Sequence, residues 1–387
     1  MAEPLLDVSQ AQLRKKRGMK WTRYPADILP AWVADMDFPV APAILAAITG
    51  MLDTQDLGYP RHDASQRVFD AFAHWMRTRH GWQVDTANML ACDDVVQMLH
   101  ACVLMFSEPG EGVVIQTPIY PPFMAAVSQN GRRMVENRLA PGAHQWELDF
   151  AELQAAIDSG TRILMLCNPH NPTGRVFSAG ELDRLTEIVC AHDLIVIADE
   201  IHMDLVFAPH RHIPFASRNP EIAARTITLT SASKAFNVAG LHCAVAHFGS
   251  ADLRARFNQL QPRLLGGPSA LSMAATEAAW RECAPWLDAA MAQLDTNRRT
   301  VASFVTNELP GVRHYPPQAT YLAWLDCSEL KLPVPASKFF LDEAKVGLSP
   351  GGDFSSFTQD HARLNFATSP QILDEILSRM ASAVKGR

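Results

Sequence analysis

The chain contains 387 residues, with 34 Lys plus Arg against 41 Asp plus Glu and a net charge of −7. Because this acidic balance excludes a broad basic surface, we expect no nucleic-acid partner. Apolar residues make up 48% and charged residues 19% of the chain, which predicts a large core and, at about 150 residues per domain, two domains or one core with an appendage.

Four short apolar runs in the middle of the chain predict buried strands. They contain Val, Ile, Leu and Met without polar alternation, as strands covered on both faces do. They are Gly112–Gln116, Arg162–Cys167, Leu194–Ala198 and Thr226–Leu229. Helical patterns separate them: Ser178 and Glu181 have the spacing of a capping box, and Asp149 and Glu152 repeat it. Alternating strands and helices predict a mainly parallel α/β sheet.

The last third of the chain has a different pattern. A long helical pattern starts at Pro285 and should end at Pro310-Gly311. Strand-like segments follow at Thr320–Leu325 and Arg363–Ala367, and a final helix starts at about Pro370. These elements predict a smaller α+β domain.

The N-terminal segment up to residue 42 is rich in aromatics and prolines and lacks a core of its own. We therefore expect it to pack on the smaller domain. The resulting prediction is a large domain over residues 43–284, and a small domain that combines residues 1–42 with residues 285–387.

No uninterrupted apolar stretch approaches the roughly 20 residues that a membrane-spanning helix needs, so we expect no membrane partner. The start Met1–Pro4 is not followed by an apolar block, which argues against a secretory signal. The cysteines are odd in number and lack the spacing of a disulfide framework or a zinc knuckle. They predict reduced thiols in a cytoplasmic protein without a metal site.

Polar side chains follow three of the predicted strands, at the point where each strand ends. Asn171 follows the second strand, Asp199 the third and Lys234 the fourth. Taken singly, these residues also fit an ordinary turn, a helix cap and an exposed lysine. Because ligands bind outside the carboxyl ends of parallel strands, their occurrence in this order predicts one shared crevice.

Pyridoxal phosphate is a cofactor that uses an amine, a carboxylate and an amide together. A lysine bonds covalently to it, and an aspartate pairs with its pyridine nitrogen so that the ring can accept electrons from a bond broken at Cα. An amide can donate to the ring phenolate oxygen, and serine hydroxyls can hold the phosphate. The three strand ends therefore predict a site for pyridoxal 5'-phosphate.

The motifs at these strand ends resemble those of the class I/II aminotransferase-like, fold-type I pyridoxal-phosphate enzymes. They are Asn171–Gly174, Asp199-Glu200 and Ser231–Lys234. Longer motifs resemble the cystathionine β-lyase branch, the MalY/PatB-type C–S lyases; they are Trp32–Phe38, Cys167–Pro172, Asp199–Leu205, Ser233–Leu241 and Thr320–Trp324. The resemblance covers almost the whole chain. It implies an α/β protein of PLP-dependent transferase fold type I, with a mainly parallel seven-stranded sheet in the large domain plus a smaller α+β domain.

The resemblance also implies a role for each residue around the cofactor ring. Lys234 would be the lysine bonded to the cofactor and the catalytic base, and Asp199 would pair with the pyridine nitrogen. Asn171 would bond the ring phenolate oxygen and contact the substrate. Tyr120 would stack on the ring face and take part in catalysis. His202, in the same motif as Asp199, is assigned to the cofactor site.

At the phosphate end, the resemblance implies that Ser231 and Ser233 hold the phosphate. Backbone amides near Val95 and Val96, at a helix start, would contribute as well. Tyr59 would reach the phosphate region of the neighbouring subunit. The resemblance therefore implies a homodimer with shared active sites.

At the substrate end, the expected partner is a small amino acid. Arg363 would clamp its α-carboxylate in a two-point contact. Asp35, in the Trp32–Phe38 motif, is also predicted to contact the substrate, and Tyr321 lies in a second motif expected on that side.

Two positions depart from the family pattern. Class I aminotransferases usually have a phosphate-binding arginine eight residues after the lysine, where this chain has His242, and the difference favours the lyase branch. That branch usually has a glycine before the two valines, where this chain has Asp93 and Asp94. Carboxylates beside a phosphate are unfavourable unless they point away or cap the helix through its amides.

The resemblance implies a PLP-dependent C–S β-lyase that cleaves cystathionine or an S-substituted L-cysteine to a thiol, pyruvate and ammonia. Two alternatives stay open. A PLP-dependent aminotransferase acting on an L-amino acid begins with the same proton abstraction. A PLP-binding regulatory protein with little turnover would keep the cofactor site, although the intact set of Lys234, Asp199, Asn171 and Arg363 argues for catalysis.

Overall fold

Helices and strands alternate through most of the computed structural model, which describes residues 8–261 and 264–386. In chain order the α-helices are α1 (Gln10–Leu13), α2 (Met19–Thr22), α3 (Pro42–Asp53), α4 (Ala64–Trp75), α5 (Val95–Phe106), α6 (Pro121–Gln129), α7 (Phe150–Ala156), α8 (Ala179–Ala191), α9 (Pro220–Arg225), α10 (Ala251–Phe257), α11 (Ala270–Glu282), α12 (Ala284–Glu308), α13 (Ala336–Glu343) and α14 (Pro370–Lys385). The strands are β1 (Leu29–Pro30), β2 (Met89–Cys92), β3 (Gly112–Thr117), β4 (Arg133–Arg138), β5 (Ala140–Pro141), β6 (Trp146–Glu147), β7 (Thr161–Cys167), β8 (Ile195–Asp199), β9 (Thr226–Thr230), β10 (Ala244–Phe248), β11 (Arg313–His314), β12 (Leu322–Asp326), β13 (Val346–Gly347), β14 (Ser349–Pro350) and β15 (His361–Asn365). The start Met1–Pro4, on which the expectation of no secretory signal rests, lies outside the described residues.

A seven-stranded sheet is the largest sheet of the described chain, with the strand order β2-β10-β9-β8-β7-β3-β4. Strands β4, β3, β7, β8 and β9 are parallel, whereas β10 is antiparallel to both β9 and β2. The four predicted strands are confirmed as β3, β7, β8 and β9, and the expected α/β class with a mainly parallel seven-stranded sheet is confirmed as well. Strands β2, β4 and β10 were not predicted, because β2 is short, β4 is mostly polar, and His247 interrupts the apolar run of β10.

Apolar side chains cover both faces of this sheet. Val113 and Ile115 of β3 pack in one core cluster with residues of α5, α6 and α10. Val114, between them in sequence, packs in a second cluster with residues of α7 and α8. Because successive side chains of a strand point to opposite faces, a strand covered on both sides must be apolar at every position. That requirement is why these strands read as uninterrupted apolar runs.

The predicted capping box of α8 is present. The Ser178 hydroxyl accepts a hydrogen bond from the Glu181 N–H (3.3 Å), and the Glu181 carboxylate accepts one from the Ser178 N–H (2.8 Å). At α7, Asp149 caps the Glu152 N–H (2.8 Å), but the Glu152 carboxylate turns instead to the Arg138 N–H (2.9 Å). The second predicted box is therefore only half formed.

Replacing Ser178 with alanine is expected to lower the free energy of unfolding by about 1 kcal/mol, because the first turn of α8 loses its side-chain acceptor. Urea denaturation of the full chain would measure the change. Ser382→Ala is a matched control, since the exposed Ser382 hydroxyl donates to a carbonyl within α14 and caps no helix end. Equal losses in the two variants would contradict the capping role.

The C-terminal part of the chain contains a four-stranded antiparallel sheet in the order β11-β12-β15-β14. The long helix predicted from Pro285 is α12, which ends before Pro310. The strand predicted at Arg363–Ala367 is found two residues earlier, as β15. The apolar pattern placed the strand too late because Phe366 and Ala367 are buried although they lie beyond the strand end. At that point the Asn297 side-chain amide donates a hydrogen bond to the Phe366 carbonyl (2.8 Å). Within the described residues, no helix has both the length and the apolar character that crossing a membrane requires.

The N-terminal segment packs against this C-terminal part. Strand β1 pairs in parallel with β13, with Leu29 opposite Val346. The Trp21 indole donates to the buried Asp37 carboxylate (2.6 Å), which also forms an ion pair with Lys20 (3.0 Å). We propose the division into residues 43–284 and residues 1–42 plus 285–387 as the domain organisation. The separate seven-stranded and four-stranded sheets support it.

Candidate active site

The carboxyl ends of β7, β8 and β9 lie at the same level of the central sheet. Cys167 at the end of β7 pairs with Asp199 at the end of β8, and Asp199 pairs with Leu229 of β9. A cavity of about 530 Å³ lies beyond these ends. The predicted site residues that line it are Asp35, Val95, Val96, Tyr120, Asn171, Asp199, His202, Ser231, Ser233, Lys234 and Arg363. The structure therefore brings these predicted residues to one place.

Tyr59 lies outside this cavity. Its side chain is fully exposed, in a shallow apolar depression lined also by Leu57, Pro268 and Leu271. The role predicted for Tyr59 concerns the site of a second subunit, and it stays a prediction.

Lys234 lies just beyond β9 with its amine inside the cavity. Its Nζ donates to the Ala34 carbonyl (3.1 Å), which also accepts a hydrogen bond from the Tyr321 hydroxyl (3.0 Å). Burial lowers the pKa of Lys234, and the Arg363 charge lowers it further, against the opposing effect of Asp35. A lysine with a lowered pKa has a larger neutral fraction and is a better nucleophile and base.

Asp199 ends β8 and is almost fully buried, at 5% exposure. Burial raises the pKa of Asp199 to about 7; the hydrogen bond from the Ile201 N–H (3.0 Å) opposes this rise, and the neighbouring Glu200 adds to it. A cation in the cavity would stabilise the ionised form of this buried carboxyl group. The protonated ring nitrogen of pyridoxal phosphate is such a cation, so Asp199 fits that cofactor.

In the cofactor-free protein, the Asp199 carboxyl group is expected to titrate near pH 7. Because the pKa is raised, the group stays protonated between the ordinary aspartate value of about 4 and pH 7, and it ionises only above that range. Infrared difference spectra should show a protonated C=O band that disappears as the pH rises through about 7 and that Asp199→Asn lacks. Loss of this band near pH 4 would contradict the effect of burial; Asp193→Asn, at an exposed aspartate, is the control.

His202 lies beside Asp199 in the cavity and is nearly fully buried. Burial lowers its pKa to about 3, so the ring is neutral at physiological pH. Its Nδ1 is buried without a hydrogen-bond partner among the described residues. An unpaired ring nitrogen at a cavity wall is suited to a polar ligand.

The N-terminal end of α5 forms one end of the cavity. Asp94 caps this helix by accepting a hydrogen bond from the Gln97 N–H (2.7 Å), and Val95 and Val96 line the cavity. The other Asp94 oxygen lies 3.6 Å from Nδ1 of His242. One of the two aspartates therefore caps the helix through its amides, and the free amides of the first turn suit an anion such as a phosphate.

The Ser231 hydroxyl forms hydrogen bonds with two other groups of the protein. It donates to the Cys243 carbonyl (2.6 Å) and accepts from the Ser233 N–H (3.1 Å). The Ser231 proton is thus committed to the backbone, and the hydroxyl can offer a phosphate a hydrogen bond only if it rotates. Of the two hydroxyls, that of Ser233 is therefore better placed to donate a hydrogen bond to a phosphate.

Arg363, on β15, also lines the cavity. Its guanidinium donates to the Asn171 side-chain oxygen (2.9 Å), the Trp32 carbonyl (3.1 Å) and the Ser349 hydroxyl (3.1 Å), and it stacks over the Phe354 ring. Burial lowers the pKa of Arg363 to about 10, which still leaves it cationic at neutral pH. Its Nε–H is buried without a partner among the described residues. A fixed cation with a free donor suits a carboxylate.

The segment around Asp35 lines the cavity, and two asparagines hold it. The Asn365 side chain donates to the carbonyls of Val33 and Asp35 (2.7 Å each), and the Asn237 side chain donates to the Met36 carbonyl (3.0 Å). Sequence reasoning did not identify either asparagine. Asn365 lies in the predicted strand Arg363–Ala367, and Asn237 lies in the motif Ser233–Leu241. Nothing in the amino-acid order links either residue to a segment far away in the chain.

The chain is similar to known proteins over most of its length. The family model described as "Aminotransferase class I and II" matches residues 33–380. Cystathionine beta-lyase PatB from Bacillus subtilis (strain 168) is 37% identical over 361 residues, which cover 92% of this chain and 93% of that protein. The crystal structure of cystalysin from Treponema denticola, which contains pyridoxal 5'-phosphate, superposes with a TM-score of 0.92 at 30% identity and covers 100% of this chain and 99% of that one. The PLP-bound C–S lyase from Staphylococcus hominis, complexed with the inhibitor L-cycloserine, has the same TM-score of 0.92, 30% identity and coverages of 100% and 99%.

Proposed function

Because the chain belongs to the aminotransferase class I and II family, we propose that it is a pyridoxal-phosphate-dependent C–S β-lyase. Its substrate would be cystathionine or another S-substituted L-cysteine, and its products a thiol, pyruvate and ammonia. The observation that carries this proposal is the convergence of Lys234, Asp199 and Asn171 on one cavity. The name of the Bacillus subtilis relative, a cystathionine beta-lyase, supports the choice of reaction.

The residues around the cavity would hold the cofactor by its ring and its phosphate. Asp199 would pair with the ring nitrogen, the Asn171 amide would donate to the ring phenolate oxygen, and Tyr120 would cover the ring face. The first turn of α5 and the Ser233 hydroxyl would hold the phosphate. When bound, pyridoxal phosphate supplies an electron-withdrawing ring that stabilises the charge left on Cα after proton removal.

The residues of the chain orient the substrate and move its protons. Arg363 and Asn171 hold the α-carboxylate, which directs the Cα–H toward the Lys234 side of the cavity. Lys234, whose pKa burial lowers, takes the Cα proton on Nζ. Burial raises the pKa of Tyr120, so its hydroxyl stays protonated. The proton that the departing sulfur accepts would be the one that Lys234 took from Cα, which returns Lys234 to its neutral form. Loss of the sulfur from Cβ then commits the substrate to elimination.

Two assays of the purified full chain with pyridoxal phosphate test this function. L-cystathionine alone should release pyruvate and a thiol. An amino acid with a keto acid as acceptor should show little exchange of the amino group. Exchange without pyruvate release would favour the aminotransferase, and a protein that binds the cofactor but turns over neither substrate set would favour a regulatory role.

We also propose that the active unit is a cytoplasmic homodimer in which Tyr59 completes the site of the partner subunit. A fully exposed tyrosine in an apolar depression supports a subunit contact. The free cysteines, all but one of them buried, support a reducing compartment.

Mixing two inactive variants tests the shared site. If Lys234→Ala and Tyr59→Ala subunits exchange, each mixed dimer has one site with both native residues, so about one quarter of wild-type activity should return in a random equal mixture. The mixture is assayed after subunit exchange, and each variant alone is the control. A mixture that stays as inactive as its components would contradict a site shared through Tyr59.

A further inference from the structure

The Arg363 guanidinium packs on an aromatic ring. Its Cζ lies 4.8 Å from the centroid of the Phe354 ring. Phe354 belongs to the segment between β14 and β15, and only 2% of the residue is exposed. The indole of Trp324, on β12, meets the same ring edge to face, with centroids 5.2 Å apart. Because Arg363 and Trp324 are buried as well, the Phe354 ring contacts one buried cation and one buried indole.

The backbone of Phe354 is also held in place. Its N–H donates to the Gly351 carbonyl (3.0 Å), and its carbonyl accepts a hydrogen bond from the Ile119 N–H (2.9 Å). The start of the segment is closely packed, since a Cβ at Gly351 would clash with the Thr358 carbonyl oxygen. The position of the Phe354 ring therefore depends on hydrogen bonds and packing of its own segment, as a residue that positions another one requires.

The hydrogen bonds of Arg363 and its ring contact differ in kind. The Asn171 side chain, the Trp32 carbonyl and the Ser349 hydroxyl each accept an N–H of the guanidinium. A carboxylate bound at two points needs N–H groups too, so it competes with these acceptors. The Phe354 ring attracts the charge of the guanidinium as a whole and not one particular N–H. The ring contact can therefore persist when a carboxylate takes the N–H groups.

We propose that Phe354 is a positioning residue: its ring holds the Arg363 guanidinium in the orientation that binds the α-carboxylate of the substrate. The role rests on the proposed function, because it requires Arg363 to receive this carboxylate. Among the described residues, Phe354 is not one that lines the cavity, so it acts on the substrate through Arg363 and not by direct contact.

The same segment offers a matched control. Phe357 is 39% exposed, and its ring centroid lies 5.1 Å from Cζ of Arg138. Arg138 is the last residue of β4, at the edge of the central sheet, and it pairs with Glu136 (3.0 Å). Replacing Phe357 with leucine therefore removes an arginine–aromatic contact of similar distance from the same segment, at an arginine outside the cavity.

Steady-state kinetics of the full chain with pyridoxal phosphate in excess test the proposal. The variants are Phe354→Leu, Phe357→Leu, Arg363→Lys and the double variant Phe354→Leu/Arg363→Lys, and pyruvate release from L-cystathionine gives kcat and KM. Thermal unfolding records any structural loss. If Phe354→Leu does not fold, Phe354→Met takes its place, because a flexible apolar chain fills the space of the ring without an aromatic face.

A second measurement detects the carboxylate without turnover. The visible spectrum of each protein loaded with pyridoxal phosphate is titrated with L-alanine and with L-alaninamide, which has the same amine but no carboxylate. A residue that acts through Arg363 should affect binding of the first ligand only, whereas a general structural defect should affect both.

Phe354→Leu should lower kcat/KM about tenfold, through a higher KM with kcat within twofold of wild type, because the guanidinium then samples other orientations. Its affinity for L-alanine should fall by a similar factor, and that for L-alaninamide should stay within twofold. Phe357→Leu should behave like wild type. In the double variant, Phe354→Leu should change kcat/KM by less than threefold relative to Arg363→Lys, since its effect depends on the guanidinium.

Four outcomes would overturn the proposal. Phe354→Leu could leave KM within twofold of wild type, or weaken L-alanine and L-alaninamide equally. Phe357→Leu could lose as much as Phe354→Leu. The losses of Phe354→Leu and Arg363→Lys could multiply in the double variant, which would show that the two residues act independently.

The two ligand titrations separate this proposal from the proposed function. A wild-type chain that binds pyridoxal phosphate but releases no pyruvate from L-cystathionine would overturn the lyase, while L-alanine and L-alaninamide still report on Phe354. A wild-type chain that releases pyruvate, with a Phe354→Leu variant that binds L-alanine as wild type does, would overturn the role of Phe354 alone.

Discussion

Replacing Lys234 with alanine is expected to lower pyruvate release from L-cystathionine by about 10³-fold or more, because one side chain supplies both the covalent attachment of the cofactor and the base for the Cα proton. Its Nζ lies inside the cavity, 3.1 Å from the Ala34 carbonyl, with a pKa lowered by burial. The measurement is pyruvate formed per enzyme with pyridoxal phosphate in excess, together with the visible spectrum of the protein after dialysis.

Two further variants make the result specific. Lys234→Arg keeps a cation at the site but cannot form the covalent bond to the cofactor, so it should be nearly as inactive as the alanine variant. Lys15→Ala removes an exposed lysine and should behave like wild type. If Lys234→Ala keeps turnover within tenfold of wild type, the proposed chemistry is wrong.

Replacing Arg363 with lysine is expected to lower kcat/KM for L-cystathionine by about 10²-fold, mainly through a higher KM. An ammonium group has no planar fork, so it cannot hold a carboxylate at two points. It also leaves the contacts of the guanidinium with Asn171, Trp32 and Ser349 incompletely replaced. Because the α-carboxylate is bound both before and during the reaction, the loss should appear chiefly in binding.

Steady-state kinetics of Arg363→Lys with Arg299→Lys as the control measure this effect. Arg299 is exposed and pairs with Asp295 on α12, so its replacement should leave KM unchanged. A KM for Arg363→Lys within twofold of wild type would show that the carboxylate is held elsewhere. A large loss in kcat with unchanged KM would instead assign Arg363 to the chemical step.

The amino-acid order predicts the central strands to within one residue at each end. This succeeds because β3, β7, β8 and β9 are covered on both faces, so burial makes nearly every position apolar. The polar residues at the ends of these strands can be identified in the sequence for the same reason, because an apolar run stops before each of them. Parallel pairing then places Asn171, Asp199 and Lys234 at one edge of the sheet.

The details at the rim of the site could not be predicted in this way. Whether Asp94 faces a phosphate or caps α5 depends on side-chain direction, and the structure shows it capping the Gln97 N–H. The direction of the Ser231 hydroxyl is likewise set by the Cys243 carbonyl, which lies in a different segment. Neither choice leaves a periodic signal, because each involves a single hydrogen bond.

Local patterns in this chain thus identify which chemical groups end the central strands, since burial and helix capping act over a few neighbouring residues. Tertiary contacts decide which groups meet across the cavity. The Ala34 carbonyl reaches Lys234 across 200 residues of sequence, and Arg363 reaches Asn171 across 192. The contact of Nε2 of His212 with a Glu200 oxygen is of the same kind: it depends on how a loop folds back over the sheet, and packing of distant apolar surfaces, not local propensity, determines that path.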